Sequence, residues 1–117
     1  MDSNYPQVFD PKVMSDARRS IKLILLAYQQ GSVSAVETSM RVSFLLKTLD
    51  FDEKIRQKFN IFDEISAKSA HIPILEQWDN LEKKTKFQYE REIKKIDNDY
   101  RLKLQDASSD ILATIEL

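Results

Sequence analysis

The chain has 117 residues, enough for one domain with a substantial hydrophobic core. It contains one glycine, three prolines and 32% charged residues, which is typical of helical proteins because strands and tight turns need more glycine and proline. The net charge of -1 excludes a strong overall attraction to nucleic acid or anionic membranes, and 42% hydrophobic residues exclude a compositionally disordered chain.

The cysteine content and the apolar runs favour an intracellular protein, in the cytoplasm or the nucleus. No cysteine is present, which excludes disulfides and thiolate metal sites. Arg18 and Arg19, followed by the apolar run 23–28, superficially resemble a signal peptide, but acidic residues precede the run and Lys22 interrupts it. The run is also far shorter than the about 20 residues that span a bilayer. We therefore expect no membrane contact.

The first predicted helix has clear signals at both ends. Residues 1–9 are expected to form a short tail, after which Asp10 caps a helix whose first position is a proline. The helix is expected to end just before Gly31, which suits the left-handed conformation that often follows a helix. Leu23 and Leu26 point away from its apolar stripe, which predicts that a partner covers them or that the helix is central in its bundle.

Two more helices of ordinary length are predicted. A capping box, Ser-Ala-Val-Glu, opens a second helix over residues 34–49. A third helix is expected to start at Asp50 or Asp52. A connector at residues 69–72 then leads to Pro73, because the residue before a proline is pushed out of helical geometry.

After Pro73 the chain has no further glycine or proline, and the sequence predicts one long charged helix. A helix from Ile74 to Ala107 would be about 50 Å long, whereas a compact domain of this size is only about 35 Å across. The helix must therefore fold back, pair with a second copy or lie against another protein. Residues 97–99, Asp-Asn-Asp, are the predicted break, and residues 108–110 are the predicted cap of a short final helix.

Two surfaces are the predicted partner-binding sites: the far face of the first helix and the long helix, which carries an apolar stripe. The stripe repeats with a mean period of about 3.67 residues, so the tight left-handed supercoil of a strict heptad repeat is not expected. The residues chosen on the two surfaces are Leu23, Leu26, Trp78, Phe87, Tyr89, Ile93, Ile96 and Tyr100. Phe87 and Leu102 lie off the main stripe, and they either form a second contact surface or pack against a helix that returns after a break at Asn98.

The long helix also has a basic side, because residues 83–104 include eight basic and four acidic residues. Three basic residues share one side of the helix: Lys84, Arg91 and Lys95. Such a side can bind a phosphate backbone with an affinity that depends on salt. The acidic residues dilute the charge, so a solvated helix with pairs such as Glu90–Lys94 is the favoured interpretation.

Catalysis, metal binding and cofactor binding find little support in the sequence. The lone histidine, His71, has no carboxylate at metal-ligand spacing and is expected to be an ordinary loop residue. One glycine cannot form a phosphate-binding loop, and one histidine gives poor support for a catalytic triad. We therefore expect no enzyme activity, no metal and no cofactor.

The sequence predicts an all-α fold in one domain. A three-helix core over residues 10–72 is followed, over residues 73–117, by the long charged, coiled-coil-like helix and the short final helix. The expected function is a non-catalytic adaptor or assembly subunit that binds protein, either a second copy or another chain, through helix–helix contacts. The alternatives are nucleic-acid binding through the basic side and a bundle that binds short peptide motifs. Residues 45–78 resemble, faintly, the N-terminal domains of transcription elongation factors, but they are about one helix too short and no residue role is transferred.

Overall fold

The computed structural model describes residues 10–73 and 76–117, and the predicted tail at residues 1–9 lies outside them. The fold is all-α, as predicted, and the described residues contain no strand. Their helices, in chain order, are α1 (Pro11–Gln29), α2 (Ala35–Leu46), α3 (Glu53–Gln57), α4 (Asn60–Lys68), α5 (Glu76–Asp79) and α6 (Lys83–Thr114).

The local signals at the ends of α1 and at the start of α2 form the predicted contacts. The Asp10 carboxylate accepts a hydrogen bond of 2.8 Å from the Lys12 backbone N–H, and Pro11 opens α1. Gly31 has a φ of +80°, the left-handed conformation that glycine adopts without strain. At α2, the Ser34 hydroxyl accepts from the Glu37 backbone N–H at 3.1 Å. These bonds satisfy backbone groups that a helix end leaves without partners.

The predicted third helix is wrong in one respect, because the structure divides it into α3 and α4. The Asp52 carboxylate caps α3 by accepting a 2.9 Å hydrogen bond from the Ile55 N–H. Asp52 is one of the two predicted starting residues of this helix. Backbone bonds between residues three apart then tighten the chain at the junction. Phe59 at this junction is fully buried, with its ring 5.6 Å from that of Phe51 and 5.9 Å from that of Phe62. The core before Pro73 therefore contains four helices and not three.

The long helix also breaks at a different place from the one predicted. A short turn at residues 80–82 separates α5 from α6, after which α6 continues through residues 97–99 to Thr114 without interruption. No separate final helix forms, and the predicted cap at Ser108 is instead a fully buried helical residue. Asn98 and Asp99 are exposed helical positions, where their low propensity costs only some tenths of a kcal/mol each. Burial of the neighbouring inward-facing residues offsets that cost.

The core lies where α6 packs against α1, α2 and α4, and α2 in turn packs against α1 and α4. The largest fully buried side chains are Phe59, Phe62, Ile21, Leu25, Ile65, Leu104 and Ile111, drawn from α1, α4, α6 and the α3–α4 junction. At about 1.5 Å per residue, the 32 residues of α6 span about 48 Å. The molecule measures 46 × 38 × 20 Å, and its radius of gyration of 15.6 Å exceeds the about 13 Å of a compact chain of this length. The excess length of α6 gives the molecule this extended shape.

Candidate functional site

The far face of α1 presents apolar side chains to solvent. Leu23 is 60% and Leu26 37% exposed, whereas Ile21 and Leu25 on the same helix are fully buried. The helical repeat places the two exposed leucines on the side away from the core. The far face of α1 therefore exposes most of Leu23 and about a third of Leu26 to solvent.

The apolar stripe of α6 points inward in its second half. Tyr100 is buried, its hydroxyl donates to the Glu64 carboxylate at 2.5 Å, and the Lys68 ammonium lies 5.2 Å from its ring centre. Ile96 packs against the core, and Ile93 is half-buried. Ile96 and Tyr100 thus serve the intramolecular packing of α6, since their contacts are already made within the chain.

The first half of the stripe packs on the connector that precedes α6. The Trp78 and Tyr89 rings lie 6.4 Å apart, and the His71 ring lies 6.2 Å from Tyr89. His71 Nε2 is 2.8 Å from Glu92 Oε1, which joins the connector to α6 across 21 residues of sequence. This partner could not be predicted from the sequence, because helical spacing relates only residues three or four apart. Within the described chain, no group of three potential metal ligands comes together.

The outer face of α6, opposite its packed side, is exposed along most of the helix. Phe87 is 60% and Leu102 75% exposed, and no helix returns over them, because α6 does not break at Asn98. Of the two possibilities that the sequence left open for these residues, packing against a returning helix is therefore excluded. We define the outer face of α6 by its exposed residues Lys84, Phe87, Arg91, Lys95, Asp99, Leu102 and Asp106.

The three basic residues predicted to share one side of α6, Lys84, Arg91 and Lys95, are all on this outer face and all exposed. None of them belongs to an ion pair among the described residues, and the expected Glu90–Lys94 pair is not formed there either. Two of the acidic residues that dilute the sequence pattern are engaged elsewhere, Glu92 with His71 and Asp97 with α2. The basic side therefore has less local neutralisation than the sequence indicated.

Asp97 forms a contact that the sequence did not indicate. Its carboxylate accepts a 2.5 Å hydrogen bond from the Ala35 N–H, so it caps α2 from 62 residues away. Burial raises the pKa of Asp97, while the Ala35 N–H and the Arg101 guanidinium act in the opposite direction. Burial, and then the charge of Asp97, raise the pKa of the Tyr28 hydroxyl, which stays protonated at neutral pH. Tyr28, Asp97 and Arg101 line a polar cleft of about 440 Å³ between α1 and α6.

A second cleft, of about 710 Å³, is lined by residues of α1, by residues near the start of α3 and by the C-terminal residues 114–117. Arg18 and Lys22 of α1 form one wall, and Phe51 and Ile115 contribute apolar surface. Arg18 lies 5.8 Å from the Phe51 ring centre, within cation–π range. Asp50 and other acidic residues share this cleft, so it has no dominant charge.

The family match covers most of this fold, from the second residue of α1 to the last turns of α6. Residues 12–111 match DUF2489, which is described as a protein of unknown function. The chain belongs to the DUF2489 family. No curated protein and no solved structure matches the chain. In the described part of the chain, no helix is both long enough and apolar enough to cross a membrane.

Proposed function

We propose that this DUF2489 chain is a non-catalytic, intracellular assembly subunit that binds protein through the outer face of α6 and the far face of α1. The observation that carries the proposal is the exposure of Phe87 and Leu102 on the outer face of a helix whose other side is packed. Large apolar side chains on an otherwise charged helix are typical of contact surfaces. Burial of the two side chains would release about 1.5–3 kcal/mol each if it were complete.

The far face of α1 supports the same proposal with a second set of exposed apolar residues. Leu23 and Leu26 are one helical turn apart, the spacing with which one helix docks into the groove of another protein. Leu23 is the more exposed of the two and lies outside the core, so substitution at this position separates binding from folding.

Site-specific photocrosslinking in cells tests this function. A photoreactive residue at position 87 is expected to give a discrete protein adduct, whereas the same residue at exposed Lys54 of α3 gives none. The Leu102→Asp change, in the chain that carries the probe at position 87, should remove the adduct without changing the helix content. If position 87 gives no adduct beyond that at position 54, the outer face of α6 is not a protein-binding surface.

Nucleic-acid binding is the second candidate, favoured by the exposure of Lys84, Arg91 and Lys95, which form no ion pair with any residue that the structure describes. Over residues 83–95 there are six basic and two acidic residues, a local charge of +4. The binding of a fluorescent duplex or single strand should then weaken steeply with salt, since each neutralised phosphate releases a counterion. The triple change to alanine should abolish binding, and Lys54→Ala should not. A binding affinity that does not change with salt concentration would reject nucleic-acid binding as the function.

A further inference from the structure

The outer face of α6 has charges of opposite sign at its two ends. Toward the N-terminus it presents Lys84, Arg91 and Lys95, and toward the C-terminus it presents Asp99 and Asp106. The whole helix follows the same trend, with six basic and two acidic residues over 83–95, but two basic and four acidic residues over 96–114. A face with this pattern is complementary to a second copy of itself in the antiparallel direction.

The two exposed apolar residues have the spacing that such a pair needs. Phe87 and Leu102 are fifteen residues apart, about 22 Å along the helix. In an antiparallel pair that places Phe87 beside Leu102 of the second copy, Lys84 lies beside Asp106 of that copy, and Arg91 lies beside Asp99. A two-fold axis repeats every contact, because residue i of one copy meets residue j of the other and the reverse.

We infer that two copies of this chain pair antiparallel through the outer faces of α6, with Phe87 against Leu102 and Arg91 against Asp99. This inference rests on the proposed function of the outer face as a protein-binding surface and names its partner. No structural rearrangement is needed, because the outer face is exposed and already helical.

A second copy fits the outer face better than a uniformly acidic partner does. A nucleic acid or an acidic protein along the full length of α6 is attracted to Lys84 and Arg91 but repelled by Asp106 and Asp99. In the antiparallel pair each of these four charges meets its opposite. The exposed surface charges contribute little affinity individually, so they set the direction and register of the pair more than its strength.

The centre of the pair limits its strength. Lys94 and Lys95 lie next to the two-fold axis, where the like charges of the two copies approach each other. The dimer is therefore weak and depends on protein concentration. Lys95→Gln removes part of this repulsion and should strengthen the dimer, whereas the same change weakens any binding of nucleic acid. The affinity of the dimer and the affinity for nucleic acid should therefore change in opposite directions.

Charge-reversal variants test the inference. Their masses are measured by light scattering over a hundredfold range of protein concentration. The wild-type mass should approach that of a dimer at high concentration. The variants K84E/R91E and D99K/D106K should each stay monomeric, with helix content unchanged. The two variants mixed in equal amounts should form a mixed dimer, in which two of the four ion pairs are reversed and two keep their original sign. A chain with all four changes should also dimerise again, because all of its ion pairs are restored with reversed sign. Lys54→Glu on α3 is the matched control and should behave as wild type.

A wild-type mass that stays monomeric overturns the inference, and so do paired reversals that fail to restore the dimer. This failure is distinct from failure of the proposed function. A crosslink from position 87 to a different protein would support the outer face of α6 as a protein-binding surface. It would reject a second copy as the partner. A crosslink from position 87 to the peptide that contains residue 102 of a second copy supports both.

Discussion

At Asp97 a single carboxylate joins α6 to the first residue of α2. Its position in an Asp-Asn-Asp sequence predicts a helix break, because these residues have low helix propensity. The structure uses the same carboxylate as an acceptor for the Ala35 N–H at 2.5 Å. The free backbone donors at the start of α2 therefore have one partner from Ser34 and one from a distant helix. The contact between α6 and α2 therefore outweighs the low helix propensity of residues 97–99.

Two substitutions separate the hydrogen bond of Asp97 from its charge. Asp97→Ala removes the acceptor and should lower the free energy of unfolding by about 1 kcal/mol, as for other lost caps. Asp97→Asn keeps an oxygen that can accept from the Ala35 N–H and should change stability much less at neutral pH. Chemical denaturation of the two variants against wild type measures both effects. Equal losses in the two variants would show that the charge, and not the bond, carries the contact.

The pH dependence of the Asp97→Asn variant follows from the raised pKa of Asp97. Because the folded pKa is raised above the unfolded one, the folded state binds the proton more tightly. Asp97 therefore contributes most to stability at low pH, and this contribution is lost as the pH rises through the folded pKa. The stability of Asp97→Asn relative to wild type should accordingly rise from acidic to neutral pH. A difference that falls over this range would contradict the account.

At the level of elements, α1 has one side that is buried in the core and one side that is largely exposed. Leu25 is fully buried, while Leu23, two residues away, is 60% exposed. Leu25→Ala should lower the free energy of unfolding by about 2–5 kcal/mol, because it removes buried methyl groups and leaves a cavity. Leu23→Ala should change it by less than about 0.5 kcal/mol. A comparison by chemical denaturation measures both, and similar losses would mean that the two faces of α1 are wrongly assigned.

The sequence was a good guide to the start of each early helix and a poor guide to where the later ones break. The caps at Asp10, Ser34 and Asp52 act within a few residues, so their patterns are visible in the sequence. The division at Phe59 and the continuity through Asn98 depend on the core and on contacts between distant elements. No local pattern carries that information.

The candidate site was predictable in part, for the same reason. The exposure of Leu23 and of the basic residues follows from helical periodicity, which the sequence contains. The burial of Tyr100 against Glu64 does not, because it depends on which side of α6 meets α4. The inner and outer faces of α6 could be distinguished only once its packing partners were known.

At the scale of the whole molecule, the length of α6 determines both the shape and the proposed role. The chain uses one side of the helix to complete its core and leaves the other side exposed over about 33 Å, from Lys84 to Asp106, in a molecule whose longest dimension is 46 Å. One chain thus buries only one side of its longest element. The opposite charges at the two ends of the outer face are the reason for proposing a second copy as the partner of the exposed side.

The most direct measurement is the distance between spin labels at positions 88 and 105, which the absence of native cysteine makes possible. Both positions are exposed glutamines near the outer face, so the charges that direct pairing are kept. A continuous α6 predicts about 26 Å between the backbone sites in one chain. The antiparallel pair adds a shorter distance between copies, which disappears when labelled chain is diluted with unlabelled chain. A short distance that survives this dilution, with no signal near 26 Å, would mean that α6 folds back on itself and has no continuous outer face.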